Sequence, residues 1–275
     1  MAIISEIYIY PIKSLGGISV SEARLTDRGL EHDRRWMLVD ENNQFFTQRE
    51  YPAMALLQTE IVESGIKVFH KHDTSDSVII PFNSQLNDTV RVKVWDDECD
   101  ASVLSDELNQ WFSRHLQINC RLVYMPDSSL RKVDEQYALR NDDITNFSDG
   151  YPLLIIGEAS LNDLNSRMSE HLPMNRFRPN IVMRGSEPYE EDRLKHFVIN
   201  GVDFYGVKLC ARCPIPTINQ DTLDKGKEPL KTLATYRKKN NKIYFGQNIL
   251  FKGETRIKKG DQIEIKERID QPSFE

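Results

Sequence analysis

The sequence predicts an α+β protein that is predominantly β, built as two intimately packed β-rich units meeting near residue 125. Three observations carry this expectation. Apolar and polar residues alternate with a period of two through much of the first hundred positions. Turn signals such as Glu41-Asn42-Asn43 and Pro81-Phe82-Asn83-Ser84 cut these runs into short pieces. A helical period surfaces in only three windows. Many short strands with close turns argue for an antiparallel sheet or small barrel over βαβ units.

Along the chain, residues 3–10 alternate roughly and 18–26 repeat that period, and further β-like runs fall at 34–40, 44–48, 54–63, 65–70, 77–80 and 89–95. The period changes at 105–116, where Leu108, Trp111, Phe112, His115 and Leu116 share one helical face and Ser105 is placed to cap it. Cys120 to Met125 reads as a strand. The polar stretch 126–150 has little periodicity and suits a junction or site-forming loop. A second helix is expected over 158–169 and a third over 228–236, with Pro229 in its first turn. Strands are expected at 178–183, 196–199, 202–210, 242–251 and 256–266.

Composition narrows the function classes. The 275 residues carry 39% hydrophobic and 28% charged side chains and a net charge of −6, which fits a folded globular chain and makes a poor general polyanion binder. Basic and aromatic residues do not interleave as a nucleic-acid reader requires, so no nucleic-acid partner is expected. No apolar run approaches ~18 residues, so no membrane span is expected. Four cysteines are too few for a disulfide framework and point to a reducing, cytoplasmic setting.

Leu209-Cys210-Ala211-Arg212-Cys213-Pro214 is the strongest local signal. Thiols act as thiolates, and Arg212 and Lys208 are cationic neighbours that favour that form. Pro214 should end the strand and leave Cys213 at a strand-to-loop edge. Several readings stay open here. A zinc site lacks a second C-x-x-C, and a thioredoxin-like pair lacks the following helix, because Pro214-Ile215-Pro216 forbids one. Two buried cysteines without a role, or a single thiolate ligand to a cofactor metal, remain.

Tyr10-Pro11-Ile12-Lys13-Ser14-Leu15-Gly16-Gly17 reads as a compact anion cradle at a strand end: an ammonium, a hydroxyl, and glycines that let backbone N–H groups approach. Its glycines follow the lysine, so it is not a Walker loop. In His32-Asp33-Arg34-Arg35-Trp36, two adjacent arginines in a strand would face opposite ways, one toward a ligand. In Arg176-Phe177-Arg178-Pro179-Asn180, Arg178 and Asn180 would share a strand face. Each has a plainer reading, as a solvated tip, a surface ion pair or an edge-strand face, and Ser148-Asp149-Gly150 alone is a turn. His70 and His72 read as surface residues. There is no G-x-S-x-G, G-x-G-x-x-G or H-E-x-x-H.

Taken together these segments resemble a known family. Tyr10-Pro11-Ile12-Lys13-Ser14, Asp33-Arg34-Arg35-Trp36 and Thr47-Gln48-Arg49 are similar to the N-terminal β-barrel domain that accompanies MOSC domains. Phe147-Ser148-Asp149, Ala159 to Asn165, Phe177-Arg178-Pro179-Asn180, Cys210-Ala211-Arg212-Cys213, Lys227-Glu228-Pro229-Leu230 with Tyr236-Arg237, and Phe245-Gly246-Gln247-Asn248 resemble the MOSC domain itself. The arrangement is similar to the mitochondrial amidoxime-reducing component and its bacterial relatives, and spans nearly the whole chain.

The resemblance implies an N-terminal barrel domain over 1–124 packed on a MOSC barrel over 125–275, with a few peripheral helices and a molybdopterin-type molybdenum cofactor between them. It implies Cys213 as the metal ligand, with Cys210 either structural or supporting that ligand from behind. Lys13, Ser14 and Arg34 would hold the cofactor's phosphate and pterin. Arg178, Asn180, Ser148, Asp149 and Arg212 would bond the pterin and line the cavity. The implied activity is reduction of N-hydroxylated compounds to amines or amidines plus water, with Asp149 nominated for proton delivery. Membrane-bound relatives carry an N-terminal anchor, whereas this chain starts at its first strand. It ends without a Cys-rich tail, so a separate donor protein (a flavoprotein, ferredoxin or cytochrome b5-like protein) is expected. The rival is a sulfur-carrier or cofactor-binding module using Cys213 as a persulfide or ligand; a purely structural β-rich domain is the third reading.

Overall fold

Seven strands close into a barrel. In order around it they are Leu153–Gly157, Ile181–Arg184, Ala2–Ile9, Gln262–Arg268, Leu194–Ile199, Val202–Ala211 and Lys242–Lys252, the last pairing back onto Leu153–Gly157. Closure leaves these strands without an open edge. Only Leu153–Gly157 and Ile181–Arg184 run parallel, and helix Glu158–Ser166 lies in the connection between them. The barrel interior is filled by Ile4, Ile7, Ile155, Ile181, Phe197, Phe204 and Ile249, all fully buried. The computed structural model describes residues 1–84 and 88–274.

The first strand belongs to this barrel and not to the sheets that follow it in sequence. Ala2–Ile9 pairs with Ile181–Arg184 on one side and Gln262–Arg268 on the other. Likewise Glu22–Thr26 pairs with Thr255–Lys258. The N-terminal half supplies a four-stranded sheet, ordered Trp36–Val39, Arg121–Tyr124, Asp97–Val103 and Thr89–Val94, and a three-stranded sheet of Leu57–Val62, Gly65–His70 and Asp73–Pro81. Helix Asp106–Leu116 packs Leu108, Trp111 and Phe112 into their shared core. Ser105 accepts a hydrogen bond from the Leu108 amide, as its spacing predicts. The expected class, predominantly β with few helices, is the one observed.

Several expected elements differ. The run 18–26 is two strands, Ile18–Val20 and Glu22–Thr26, which pair with different partners. The run 256–266 is broken by a turn in which Gly260 takes φ +92°, separating Thr255–Lys258 from Gln262–Arg268. Residues 44–48 make only isolated bridges. Asp97–Val103, too acidic to read as a strand, is held by its hairpin with Thr89–Val94. The third helix shrinks to Leu230–Leu233, because the chain tightens to i→i+3 bonds at Thr235 and Tyr236 and turns away.

Candidate functional site

One cavity of about 740 Å³ opens between the barrel and the N-terminal sheets, and its lining includes Lys13, Ser14, Arg34, Ser148, Asp149, Arg178, Asn180, Arg212 and Cys213. All nine residues singled out from the sequence therefore meet in one place, although they come from five separate segments.

The route by which they meet is not the one expected. Arg34 and Arg178 are not on strands; their φ values are +48° and +56°, and the strands begin after them, at Trp36 and Ile181. Ser14 is left-handed too, at +69°. Non-glycine residues in this region are strained, and such strain collects where a side chain must be aimed. Nor do Gly16 and Gly17 free the backbone for an anion. The Gly16 amide donates to the Leu57 carbonyl at 2.9 Å. A Cβ on Gly17 would lie 2.3 Å from the Tyr10 ring. Gly17 makes room for Tyr10 and Gly16 for Gln58, and the cradle is built from side chains.

Arg34 donates to Asp33 Oδ2 at 2.6 Å, to Asn180 Oδ1 at 3.1 Å and to the Arg178 carbonyl at 3.3 Å. Asp33 is buried and also accepts from the Tyr10 amide at 2.8 Å. Asn180 is spent on the fold: its Oδ1 also accepts from the Leu154 amide and its Nδ2 donates to the Tyr8 carbonyl. Arg178 donates to the Leu15 carbonyl at 2.7 Å, and its guanidinium lies 4.2 Å from the Tyr10 ring centre. Burial pulls Arg178 down to about 10, with the Arg34 charge adding to that effect and Tyr10 opposing it.

Lys13 is 5% exposed, and its ammonium donates at 2.7 Å both to the Phe147 carbonyl and to Asp149 Oδ1. Burial lowers its pKa against the opposing pull of Asp149. For Asp149, desolvation alone would raise the carboxyl. The Lys13 charge, the Lys13 hydrogen bond and one from Trp95 Nε1 at 3.1 Å overcome it and hold Asp149 well below the usual carboxylate range. In this geometry Asp149 is the counter-ion of Lys13 and an acceptor from Trp95.

On the opposite wall, strand Val202–Ala211 ends before Cys213, as Pro214 requires, and Ile215–Thr217 forms one 3-10 turn. Arg212 sits on Cys210 rather than Cys213: Nη1 donates to Cys210 Sγ at 3.1 Å and Nη2 to the Phe177 carbonyl at 2.8 Å. Burial raises the Cys210 thiol, with Arg212 opposing. Lys208 turns to Tyr137 instead, 4.1 Å from its ring centre. Cys99 and Cys120 are buried elsewhere, in the N-terminal sheets.

Four organising residues were given no role by the sequence, although Tyr10 and Gln48 fall within the motifs above. Arg131 is buried and donates to the carbonyls of Asn146 at 2.9 Å, Ser148 at 2.5 Å and Asp149 at 3.1 Å while pairing with Asp97. Gln48 donates to the Ser14 carbonyl at 2.6 Å and accepts from Gln220 at 3.1 Å. Tyr10 lies under both arginines, and Trp95 reaches Asp149 from a hairpin tip. All act over long sequence separations, and no local pattern announces them.

Spare bonding capacity shows what the cavity suits. Arg212 Nε is buried without a partner. The Ser14 hydroxyl has no partner among the described residues, and Arg178 keeps donors beyond its one bond to Leu15. Unpaired cationic and hydroxyl donors opposite a cysteine fit a phosphate-bearing polar heterocycle with a thiolate-bound metal.

Comparison with known proteins agrees. Residues 1–119 match the MOSC N-terminal beta barrel domain and residues 142–264 the MOSC domain. Mitochondrial amidoxime-reducing component 1 of Mus musculus is 32% identical over 276 residues, covering 94% of this chain and 81% of that protein. Mitochondrial amidoxime reducing component 2 of Rattus norvegicus is 34% identical over 250 residues, covering 85% and 72%. Molybdenum cofactor sulfurase of Oryza sativa subsp. japonica is 34% identical over 261 residues, covering 88% of this chain but 32% of that longer protein. With likeness of this extent running through both halves, the chain belongs to the MOSC-domain family, in the two-part form shared with the mitochondrial amidoxime-reducing components.

Proposed function

We propose that this protein is a molybdenum-cofactor-dependent reductase of N-hydroxylated compounds, among them hydroxylamines, amidoximes and N-hydroxylated bases. Its electrons would come from a separate donor protein of the flavoprotein, ferredoxin or cytochrome b5-like type. The supporting observation is the gathering of Lys13, Ser14, Arg34, Arg178 and Arg212 with Cys213 around one cavity.

In this reading Lys13, Ser14 and Arg34 hold the cofactor's phosphate side, while Arg178 and Arg212 donate to the pterin. Ser148, whose hydroxyl is 2.7 Å from that of Thr145, lends its position to the same wall. Asn180 works by locking Arg34. Cys213 supplies the soft thiolate to the metal. When bound, the cofactor supplies the two-electron reduction of an N–O bond, giving amine or amidine plus water. The residues around it orient the substrate and limit access of water, and protons enter from solvent at the cavity mouth. Among the described residues, no helix is long and apolar enough to cross a membrane.

Protein made in a cofactor-competent host should carry stoichiometric molybdenum and pterin and reduce an N-hydroxylated compound with an artificial donor. Cys213→Ser should keep its fold and lose turnover; full turnover sinks the ligand role. A second reading draws on the likeness to the sulfurase: a sulfur carrier or cofactor-binding module. Absence of molybdenum together with cyanide-labile sulfur on Cys213 would decide for it.

A further inference from the structure

Trp95 stands at the tip of the hairpin joining Thr89–Val94 to Asp97–Val103. Val94 pairs directly with Asp97, so Trp95 and Asp96 alone make the turn. Its φ is +58°. Two-residue hairpin turns demand such values, and asparagine or glycine meets the demand at least cost. A bulky aromatic there is an outlier, and outliers of this kind persist where the surroundings hold them in place.

Three contacts do so. The Arg49 guanidinium lies 4.2 Å from the indole centre, and Phe45 meets the ring edge-on at 5.0 Å. The third is the bond from Nε1 to Asp149 Oδ1 at 3.1 Å. That same oxygen accepts the Lys13 ammonium at 2.7 Å. Oδ1 is therefore saturated. Oδ2 has no partner among the described residues, and the Asp149 side chain is 69% exposed to the cavity. The other charged groups facing this carboxylate are Arg34 and Arg178 across the floor, with Arg131 bonded to the Asp149 carbonyl behind it.

We propose that Trp95 is a positioning residue: together with Lys13 it fixes one oxygen of Asp149 and so aims the other into the cavity, as acceptor for the hydroxyl of an N–OH substrate. The substrate part rests on the N-hydroxylate reading of this cavity. An O–H donated to a carboxylate is a charge-assisted bond, about twice as strong as a neutral one, and it orients the N–O group.

Two measurements test it. The protein has three tryptophans, so three indole N–H signals appear in a nitrogen–proton NMR spectrum. Trp111, which donates to Asp76 at 2.8 Å, serves as the internal control. The signal lost in Trp95→Phe should shift in Asp149→Ala while that of Trp111 stays. An unmoved Trp95 signal overturns the proposal whatever the activity. In molybdenum-loaded protein, Trp95→Phe should raise KM for benzamidoxime about three- to tenfold, with kcat changed less than about twofold. Binding of the O-methyl ether of benzamidoxime, which lacks the donor, should be equal in both proteins. An unchanged KM, or an equal loss for the ether, overturns the positioning role. Loaded wild-type protein with no N-reductive turnover sinks the functional reading instead, and the NMR result still decides whether Trp95 holds Asp149.

Discussion

Arg34 and Arg178 hold their guanidinium groups 4.3 and 4.2 Å from the centre of one shared ring, that of Tyr10. Two like charges are brought together around one aromatic ring, with Asp33 pairing Arg34 as the compensating carboxylate. Such a pair is poised for an anion, since each cation is attracted by the ring and repelled by its neighbour.

The ring matters here and the hydroxyl does not. Tyr10 Oη is buried without a partner, and burial raises its pKa. Tyr10→Phe should therefore leave stability unchanged or raised by up to about 1 kcal/mol. Tyr10→Leu, which removes the ring against which both arginines lie, should lower cofactor retention about tenfold. Thermal melts and molybdenum content after dialysis check the two outcomes.

Arg131 carries the loop that delivers Ser148 and Asp149. Replacing it with methionine leaves the carbonyls of residues 146, 148 and 149 without their donor. Leaving a buried acceptor without its donor costs about 1–3 kcal/mol. Arg131→Met should show a loss of that size in urea unfolding; a loss under about 1 kcal/mol would mean the loop is held by other contacts.

Glu191 is fully buried, accepts from the Ser160 hydroxyl at 2.7 Å, and leaves its other oxygen unpartnered. Burial, reinforced by the adjacent Asp192, pushes it up to about 7 from 4.5. Asp192 bonds Arg237 and is itself pushed up to about 6 by burial. A carboxyl with a raised folded-state pKa binds its proton more tightly when folded. Its contribution is therefore fully present below about pH 4.5 and is lost as pH rises toward about 7. Glu191→Gln should match wild type near pH 4.5 and exceed it at pH 8 by on the order of 1–3 kcal/mol. Denaturant unfolding at both pH values reads this directly, and identical pH slopes would refute it.

Much of the architecture was legible because it is local. Helix Asp106–Leu116 announces itself by its apolar stripe and by Ser105, and strand Ala2–Ile9 by alternation. The site residues were legible as motifs, though not the way they are presented. A strand was the natural reading for Arg34-Arg35 and for Arg178 to Asn180, and left-handed backbone at Arg34 and Arg178 has no sequence signature outside glycine and asparagine. The helpers were hidden for another reason. Arg131 reaches residues 15 to 18 positions away, Trp95 reaches across 54, and Gln220 across 172. Contacts of that span exist only once the sheets are assembled.

The placement of Ala2–Ile9 has a consequence for how the chain is assembled. During synthesis this stave emerges long before one of its neighbours, Gln262–Arg268; Ala2 must wait for Ile263. Until then a hydrophobic strand stays unmatched, which slows folding and exposes an edge to other chains. A fragment cut near residue 125 would leave one piece with an orphan strand and the other with a gap in its wall. The two halves are separable as text and inseparable as objects.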